Sequence, residues 1–529
     1  MGKKWGKCNR VVLCKNEYRK EINMIDTKVT KFWASLNKKS KDIENKIDIL
    51  ERKRTGSYYT DIELTDVMMN ELIEQLRKTN SSKKFCDYRF LEPCIGTGNF
   101  VFSYIKAIAK TGLSKEDAKC MLNNIYVADI NKEALERYKE SLREIAWLLW
   151  GIKLTNEYFE KHIGTGLLID ITKRELNYIS INEVFQGDII NGGFDIVATN
   201  PPYKNLKAER GQYKSDDEYD KDKDKYSVIS KIVKKNFKYS ADGVLNLYKL
   251  FVEEIIDKYA NENAFISLLI PASIMSDKTS MKLRTHILED NKLISVKVIE
   301  ENNRYIDAQQ ALCSILIKKG EKTDNVNITK DYCNAPEDIA KVKIKDILNV
   351  NTGNAIIAIS SKEYNVLNKL RKFPVVKDLP FIINLRGELD LTANKKYITA
   401  MDTGYPLIRG RNIGYYNLMN TPNVEFVSSD FMNITKKKRY IEKERIICQQ
   451  IVNMNKERRV TFALISKNYI LGNSCNFISV EYNSYGIDIY TILGLFNTKI
   501  INWLFKLTSS NNHVNNYEID CFPVPVKSK

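Results

Sequence analysis

A chain of 529 residues is too long for one ordinary hydrophobic core, so two or more domains are expected. Its content of 43% hydrophobic and 28% charged residues is that of a globular protein, and no apolar run approaches the roughly 18 residues of a spanning helix, so no spanning helix and no membrane partner are expected. The formal net charge of +17 is unevenly placed. Residues 341–529 hold 27 Lys and Arg against 15 Asp and Glu, which leaves +5 for the first 340 residues. A basic C-terminal third points to a polyanionic partner. A Lys-rich proteome is the plainer alternative, but such a bias would charge both parts alike. The ten cysteines form no C-x-x-C pair and only three histidines accompany them, so no metal site is expected and the thiols read as reduced and cytoplasmic. The basic start, Met1 to Lys7, has no apolar stretch behind it and does not read as a signal peptide.

In chain order, residues 1–50 read as a helical lead-in, with Ile22, Ile25, Val29, Phe32, Trp33 and Leu36 at helical spacing. The lead-in is too short for a nuclease domain and has no Pro-Asp…Glu-x-Lys cluster. A helix is expected from about Leu64 to Leu76. Strands and helices then alternate. Strands are expected at Arg89–Glu92, Ile125–Asp129, Val184–Asp188, Phe194–Ala198 and Ala264–Ile270, and an antiparallel pair at Ile294–Glu300 and Ala311–Lys318. This alternation predicts an α/β fold with a doubly wound sheet. The charged segment between Lys204 and Lys225 reads as a loop. Beyond about residue 340 the alternation is lost, basic turns appear, and a last helix is expected over Tyr490–Leu507.

Four motifs carry chemistry. Asn200-Pro201-Pro202-Tyr203 follows an apolar strand; the prolines end the strand and stiffen a turn that presents an amide, a carbonyl and a ring. Such a set suits a flat amine held by its N–H groups. At the turn Glu92-Pro93-Cys94-Ile95-Gly96-Thr97-Gly98, glycines let backbone approach a ligand and a carboxylate can hold an ammonium-like group. Asp129 ends the next strand, where it can accept two ribose hydroxyls. Asp188 ends the third, where it can take an adenine amino group. Carboxylates at three successive strand ends cost desolvation unless a ligand meets them.

The order and wording of these motifs resemble the gamma class (TaqI-like) of S-adenosylmethionine-dependent N6-adenine DNA methyltransferases of restriction-modification systems. The resemblance rests on Gly56-Ser57-Tyr58-Tyr59-Thr60, Glu92 to Gly98, Asn200 to Tyr203, Asn246-Leu247-Tyr248, Ile270-Pro271-Ala272, Ile492 to Lys499 and Phe522-Pro523-Val524-Pro525. One departure is Asp61, where the family usually has proline. The resemblance implies a Rossmann-like methyltransferase domain with a doubly wound mixed sheet over residues 51–340, and a mixed α+β DNA-recognition domain over 341–529. It implies S-adenosylmethionine as cofactor, held by Tyr59, Thr60, Glu92, Pro93, Gly96, Gly98, Asp129, Ile130 and Asp188. Asn200, Pro201, Pro202 and Tyr203 would be catalytic. Asn200 and the Pro201 carbonyl would accept the N–H groups of a flipped-out adenine, and Tyr203 would stack on it. Tyr305 would contact the same base, with a core tyrosine as the other reading.

DNA would be held by Arg409, Arg411, Asn412, Lys436, Lys437, Lys438, Arg458 and Arg459, against solvated surface charge as the alternative. The partners implied are double-stranded DNA and a separately encoded restriction endonuclease, for a monomer of the bacterial cytoplasm. Three rivals remain. One is an enzyme for another amine (cytosine N4, RNA or protein glutamine). The second is a bifunctional restriction-modification enzyme, and the third a non-catalytic DNA-specificity protein.

Overall fold

The structure, a computed structural model, describes residues 27–46, 58–79, 82–164, 168–169, 178–179, 185, 193–213, 215–306, 310–348, 353–419, 424–453, 456–509 and 512–526. The chain divides into two compact units, Met1–Ser360 and Ser361–Lys529.

The first unit is built on a nine-stranded mixed sheet. Its strands are β1 (Phe90–Glu92), β2 (Ile125–Ala128), β3 (Ile163–Gly164), β4 (Phe194–Thr199), β5 (Ala260–Pro271), β6 (Asn291–Ile299), β7 (Leu312–Lys319), β8 (Asn325–Thr329) and β9 (Ile339–Lys343). Their order across the sheet is β3-β2-β1-β4-β5-β7-β6-β8-β9. From β3 to β5 every pairing is parallel, with Phe90 of β1 opposite Ile125 on one side and Ile196 on the other. Strand β7 runs antiparallel to both its neighbours. The central strands are mostly apolar because both faces are covered: β1 and β2 are wholly buried, Glu92 at the end of β1 included. Chain order reverses between β1 and β4, and the crevice at the C-terminal ends of those strands is the ligand position of open α/β sheets.

The expected strands at β1, β2, β4, β5, β6 and β7 are present within a few residues. The strand expected at Val184–Asp188 lies outside the described residues except for Phe185, which is buried in a turn. The neighbour of β2 is instead Ile163–Gly164, a pair too short to show periodicity. In the charged segment read as a loop between Lys204 and Lys225, residues 216–225 are helical, the start of a helix over Asp216–Asn236. Ser215 caps it by accepting from the Glu218 N–H, three acidic residues fill its first turn and two lysines its last. That order of charges complements the helix dipole and outweighs the low hydrophobicity.

Helix α1 (residues 27–44) is part of this unit's core through Phe32 and Leu36, while Ile22 and Ile25 lie outside the described residues. Helix α2 (Ile62–Lys78) starts at Asp61, whose carboxylate accepts from the Glu63 N–H. The Asp61 φ of −62° is the value proline enforces, so the substitution keeps the backbone and adds a cap. Asn37 of α1 donates to Asp61 at 2.8 Å and accepts from Ile62 N at 2.8 Å. The first unit runs past residue 340 because β9 belongs to its sheet. It also holds residues 353 and 354, whose carbonyls accept from the buried Arg284 guanidinium.

The second unit carries an antiparallel sheet of β10 (Ile382–Arg386), β11 (Arg445–Gln449), β12 (Phe462–Ile465) and β13 (Cys475–Val480), in the order β10-β13-β11-β12. The single last helix of the sequence reading is two, α3 (Ile489–Phe496) and α4 (Lys499–Thr508), because Thr498 caps a new helix by accepting from the Ile501 N–H. Asn497, at the break, uses its side chain like a strand partner: it accepts from Phe462 N at 3.0 Å and donates to Phe462 O at 2.8 Å. Phe496 packs on Phe462 and on Phe522, with ring centroids 5.3 Å apart in both pairs. The conspicuous Phe522-Pro523 tail is thus a core plug.

Glu388 and Arg445 form an ion pair with both side chains fully buried. Glu388 also accepts from Leu471 N at 2.7 Å, and the guanidinium lies 5.0 Å from the Phe477 ring centroid. Removing one partner leaves a buried charge. Arg445→Ala is expected to destabilise the second unit by about 3–5 kcal/mol, whereas Glu388→Leu with Arg445→Met costs far less. Urea unfolding of the two variants checks this.

Candidate active site

Three neighbouring strands deliver the site. Glu92 ends β1, Asp129 follows β2 and Asn200 follows β4. Glu92 is buried, and its carboxylate accepts from Val101 N at 3.3 Å. Burial holds this carboxyl well above the usual range; the Val101 N–H opposes the rise and the nearby Asp129 adds to it. Among the described residues no cationic side chain pairs with it. Pro93 behind it is buried.

The turn after Glu92 bends through Gly96 at φ +51° and Gly98 at φ +92°, both in the left-handed region that favours glycine. A Cβ on Gly96 would stand 2.9 Å from the Tyr59 ring, and one on Gly98 2.6 Å from the Tyr138 ring. The turn is held from the β2 side. Asp129 accepts from Gly96 N at 2.7 Å and from Asn131 N at 2.8 Å. Burial raises its carboxyl, against those backbone N–H groups. Burial, then Asp129, pushes the Tyr59 hydroxyl up. Ile130, next along, is 61% exposed, an apolar face left to solvent at the strand end. Helix α1 also reaches the turn, since the Ser40 hydroxyl lies 2.5 Å from that of Thr97.

Asn200 is locked on one side. Its Nδ2 donates to the Tyr58 carbonyl at 3.0 Å and to the Thr60 hydroxyl at 3.0 Å. A carbonyl can only accept, so it fixes which end of the amide faces it. Among the described residues, Asn200 Oδ1 is buried and has no partner. Thr60 in turn accepts, through its carbonyl, from Asn99 Nδ2 at 2.6 Å. A hydrogen-bonded belt thus joins the motifs, with Asp129 on the Gly96 turn, Asn99 behind that turn on Thr60, and Thr60 on Asn200. Pro201 is buried and Pro202 half-buried.

Tyr203 is pinned as well. Its hydroxyl donates to Leu269 O at 3.0 Å. Its ring stacks on Tyr58 at 5.9 Å between centroids and meets the edge of Tyr248 at 6.4 Å. Tyr305 is half-buried, its carbonyl accepts from Asp61 N at 2.9 Å, and the Arg304 guanidinium lies 4.9 Å from its ring. Asp188, Gly56 and Ser57 lie outside the described residues. The sequence reading missed the Tyr58 carbonyl and Asn99, backbone and second-layer contacts that leave no spacing signal.

In the second unit the basic residues divide. Arg409 makes two bonds to Glu425, at 2.6 and 2.9 Å. Asn412 is buried and accepts from Arg409 N, closing a turn. Lys437 donates to the Arg386 carbonyl at 2.6 Å. Arg458 donates to Asn497 O at 2.9 Å and lies over Tyr415. Arg459 is 2% exposed, with its guanidinium 5.4 Å from the Phe505 ring centroid, so it is placed in the core. Arg411, Lys436 and Lys438 are exposed. No helix among the described residues is long and apolar enough to cross a membrane.

A raised carboxyl binds its proton more tightly folded than unfolded. The stability Glu92 allows is therefore complete below its unfolded value of about 4.3 and is lost as pH rises through the folded value. Glu92→Gln removes this loss. With no ligand added, the variant is expected to melt above the wild type at pH 7 and together with it near pH 4, a comparison made by calorimetry.

Residues 123–304 match the Eco57I restriction-modification methylase family, and residues 405–524 match the TaqI-like C-terminal specificity domain. No curated protein matches. Similar solved structures include a DrdV–DNA complex (12% identity, 88% of this chain and 54% of that one, TM-score 0.47). Another is the type IIG restriction endonuclease BpuSI (13%, 88% and 58%, 0.44). A third is the type IIL restriction-modification enzyme MmeI in complex with DNA (11%, 90% and 68%, 0.42). The chain spans from about half to two thirds of the length of these proteins. The chain thus carries a match to the Eco57I restriction-modification methylase family over residues 123–304 and to the TaqI-like C-terminal specificity domain over residues 405–524.

Proposed function

We propose that the protein is a site-specific DNA methyltransferase that transfers a methyl group from S-adenosylmethionine to N6 of a flipped-out adenine, as the modification activity of a restriction-modification system. One observation carries the reading: Asn200 Oδ1 is buried without a partner among the described residues while its Nδ2 is held twice. Leaving a buried acceptor unsatisfied costs about 1–3 kcal/mol, a cost that a substrate N–H at this oxygen would offset.

The cofactor fits the residues present. Glu92 is a buried carboxyl with no cationic partner among the described residues, which suits a positively charged group. Glu92, Gly96, Gly98, Tyr59, Asp129 and the apolar face of Ile130 would hold it. S-adenosylmethionine, when bound, supplies a methyl group on a positively charged sulfur. Asn200 Oδ1 and the Pro201 carbonyl accept the two N–H groups of the adenine amine and draw its lone pair out of the ring. The amine nitrogen held there would receive the methyl group that the bound cofactor supplies and would give one N–H proton to water. Because sulfonium is a good leaving group, positioning supplies most of the catalysis. Tyr203, fixed at its hydroxyl, offers a rigid face to the extruded base. Tyr305 lies beside Asp61 and is proposed as a second contact to that base.

Residues 361–529 are proposed to choose the DNA site. Among the basic residues, the exposed Arg411, Lys436 and Lys438 are the ones free to meet DNA. Arg409, Asn412, Lys437, Arg458 and Arg459 are proposed to shape the surface.

Two tests follow. Asn200→Ala is expected to lower methyl transfer to genomic DNA by roughly 100-fold or more with cofactor affinity retained. Wild-type digests analysed by mass spectrometry should yield N6-methyladenine. N4-methylcytosine, or wild-type turnover in the variant, contradicts the proposal. Lys436→Ala with Lys438→Ala should weaken all duplexes alike and lower the slope of log affinity against log salt by about 2, whereas Arg411→Ala should relax site preference.

A further inference from the structure

Away from the site just described, the fold joins two cysteines that stand 34 residues apart in sequence. Cys86 lies in the short turn Phe85–Asp87 that leads into β1, and Cys120 in the helix Lys115–Asn123 that leads into β2. With Asp87 they form a group whose ligand atoms all lie within 4.8 Å of one another. Cys86 Sγ is 3.6 Å and Cys120 Sγ 3.5 Å from Asp87 Oδ1.

We propose that Cys86, Cys120 and Asp87 form a structural site for one zinc ion. The distances carry the argument. A tetrahedral zinc with bonds of about 2.3 Å to sulfur and 2.0 Å to oxygen spaces neighbouring S and O ligands roughly 3.5 Å apart, and both sulfur–oxygen separations here have that length. The set is open on one side. Cys86 is buried, Cys120 half-buried and Asp87 exposed, so the ion enters past Asp87 and water takes the fourth position. Each thiol gives its proton to water as its sulfur bonds zinc.

The surroundings support the ligands. Asn124 Nδ2 donates to Cys86 O at 2.9 Å and to Cys120 Sγ at 3.8 Å, an orienting contact of the kind that surrounds metal sites. The Asn124 carbonyl accepts from Phe90 N at 2.8 Å. The ion would therefore tie together the entrances of β1 and β2, at the opposite end of those strands from Glu92 and Asp129. Its role is to stiffen the sheet rather than to take part in chemistry.

The test uses full-length protein purified with a reductant, loaded with zinc and passed through a desalting column. Mass spectrometry for metals should find about one zinc per chain, and little in Cys120→Ser or Asp87→Asn. Cobalt(II) in place of zinc should give a thiolate-to-cobalt absorption band that Cys120→Ser removes. Chelation should lower the melting temperature of the wild type and not of the two variants. These positions are partly exposed, so the variants should fold even if Cys86→Ser does not. No retained zinc, zinc retained equally by both variants, or a Cys86–Cys120 disulfide in place of the ion would overturn the proposal.

Discussion

The site depends on how one carboxamide is held. Asn200 Nδ2 meets a carbonyl and a hydroxyl contributed by the segment Tyr58–Thr60, more than a hundred residues earlier in the chain. That arrangement fixes the amide plane and leaves one oxygen with no donor among the described residues. An amide free to flip would offer donor and acceptor in turn, and could not hold an amine in one orientation. The two prolines after Asn200 stop β4 where the amide is needed. The Tyr58 ring stacks on Tyr203, so one short segment orients both the amide and the aromatic face. Position, rather than acid–base chemistry, is what this protein contributes in the proposed reaction.

The same region shows where stability is given up. Glu92 is buried against its own preference for water, with a backbone N–H as partner, and Asn200 Oδ1 is buried unsatisfied. Both are local conflicts of the kind that mark functional positions in otherwise consistent sequences. The buried Glu388–Arg445 pair in the second unit differs. Its charges meet each other and nearby backbone, with only Arg445 Nε left without a partner among the described residues, and the pair belongs to the fold of the second unit.

Much of this was legible in sequence, for identifiable reasons. Apolar runs bounded by turns located β1, β2, β4 and β5. The strand-end positions of Glu92, Asp129 and Asn200 followed from those runs. Strand β3 was missed because two residues carry no periodicity. Asp216–Asn236 was misread because its helix rests on a cap and end charges rather than on a long apolar stripe. Spacing cannot tell a lysine in solvent from Arg459 laid over Phe505 or Lys437 bound to carbonyls, so the basic clusters did not divide in sequence as they do in the structure. Thr60 was assigned to the cofactor from its motif, while its described contacts are to Asn200 and Asn99.

That last difference offers the most direct test. Thr60→Val keeps the shape and removes the hydroxyl that accepts from Asn200. Steady-state methylation of DNA, measured beside cofactor affinity by calorimetry, separates the two roles. If the clamp on Asn200 is the controlling interaction, kcat falls while the cofactor Kd stays at the wild-type value. An unchanged kcat with a weakened cofactor Kd would contradict it and return Thr60 to the cofactor site.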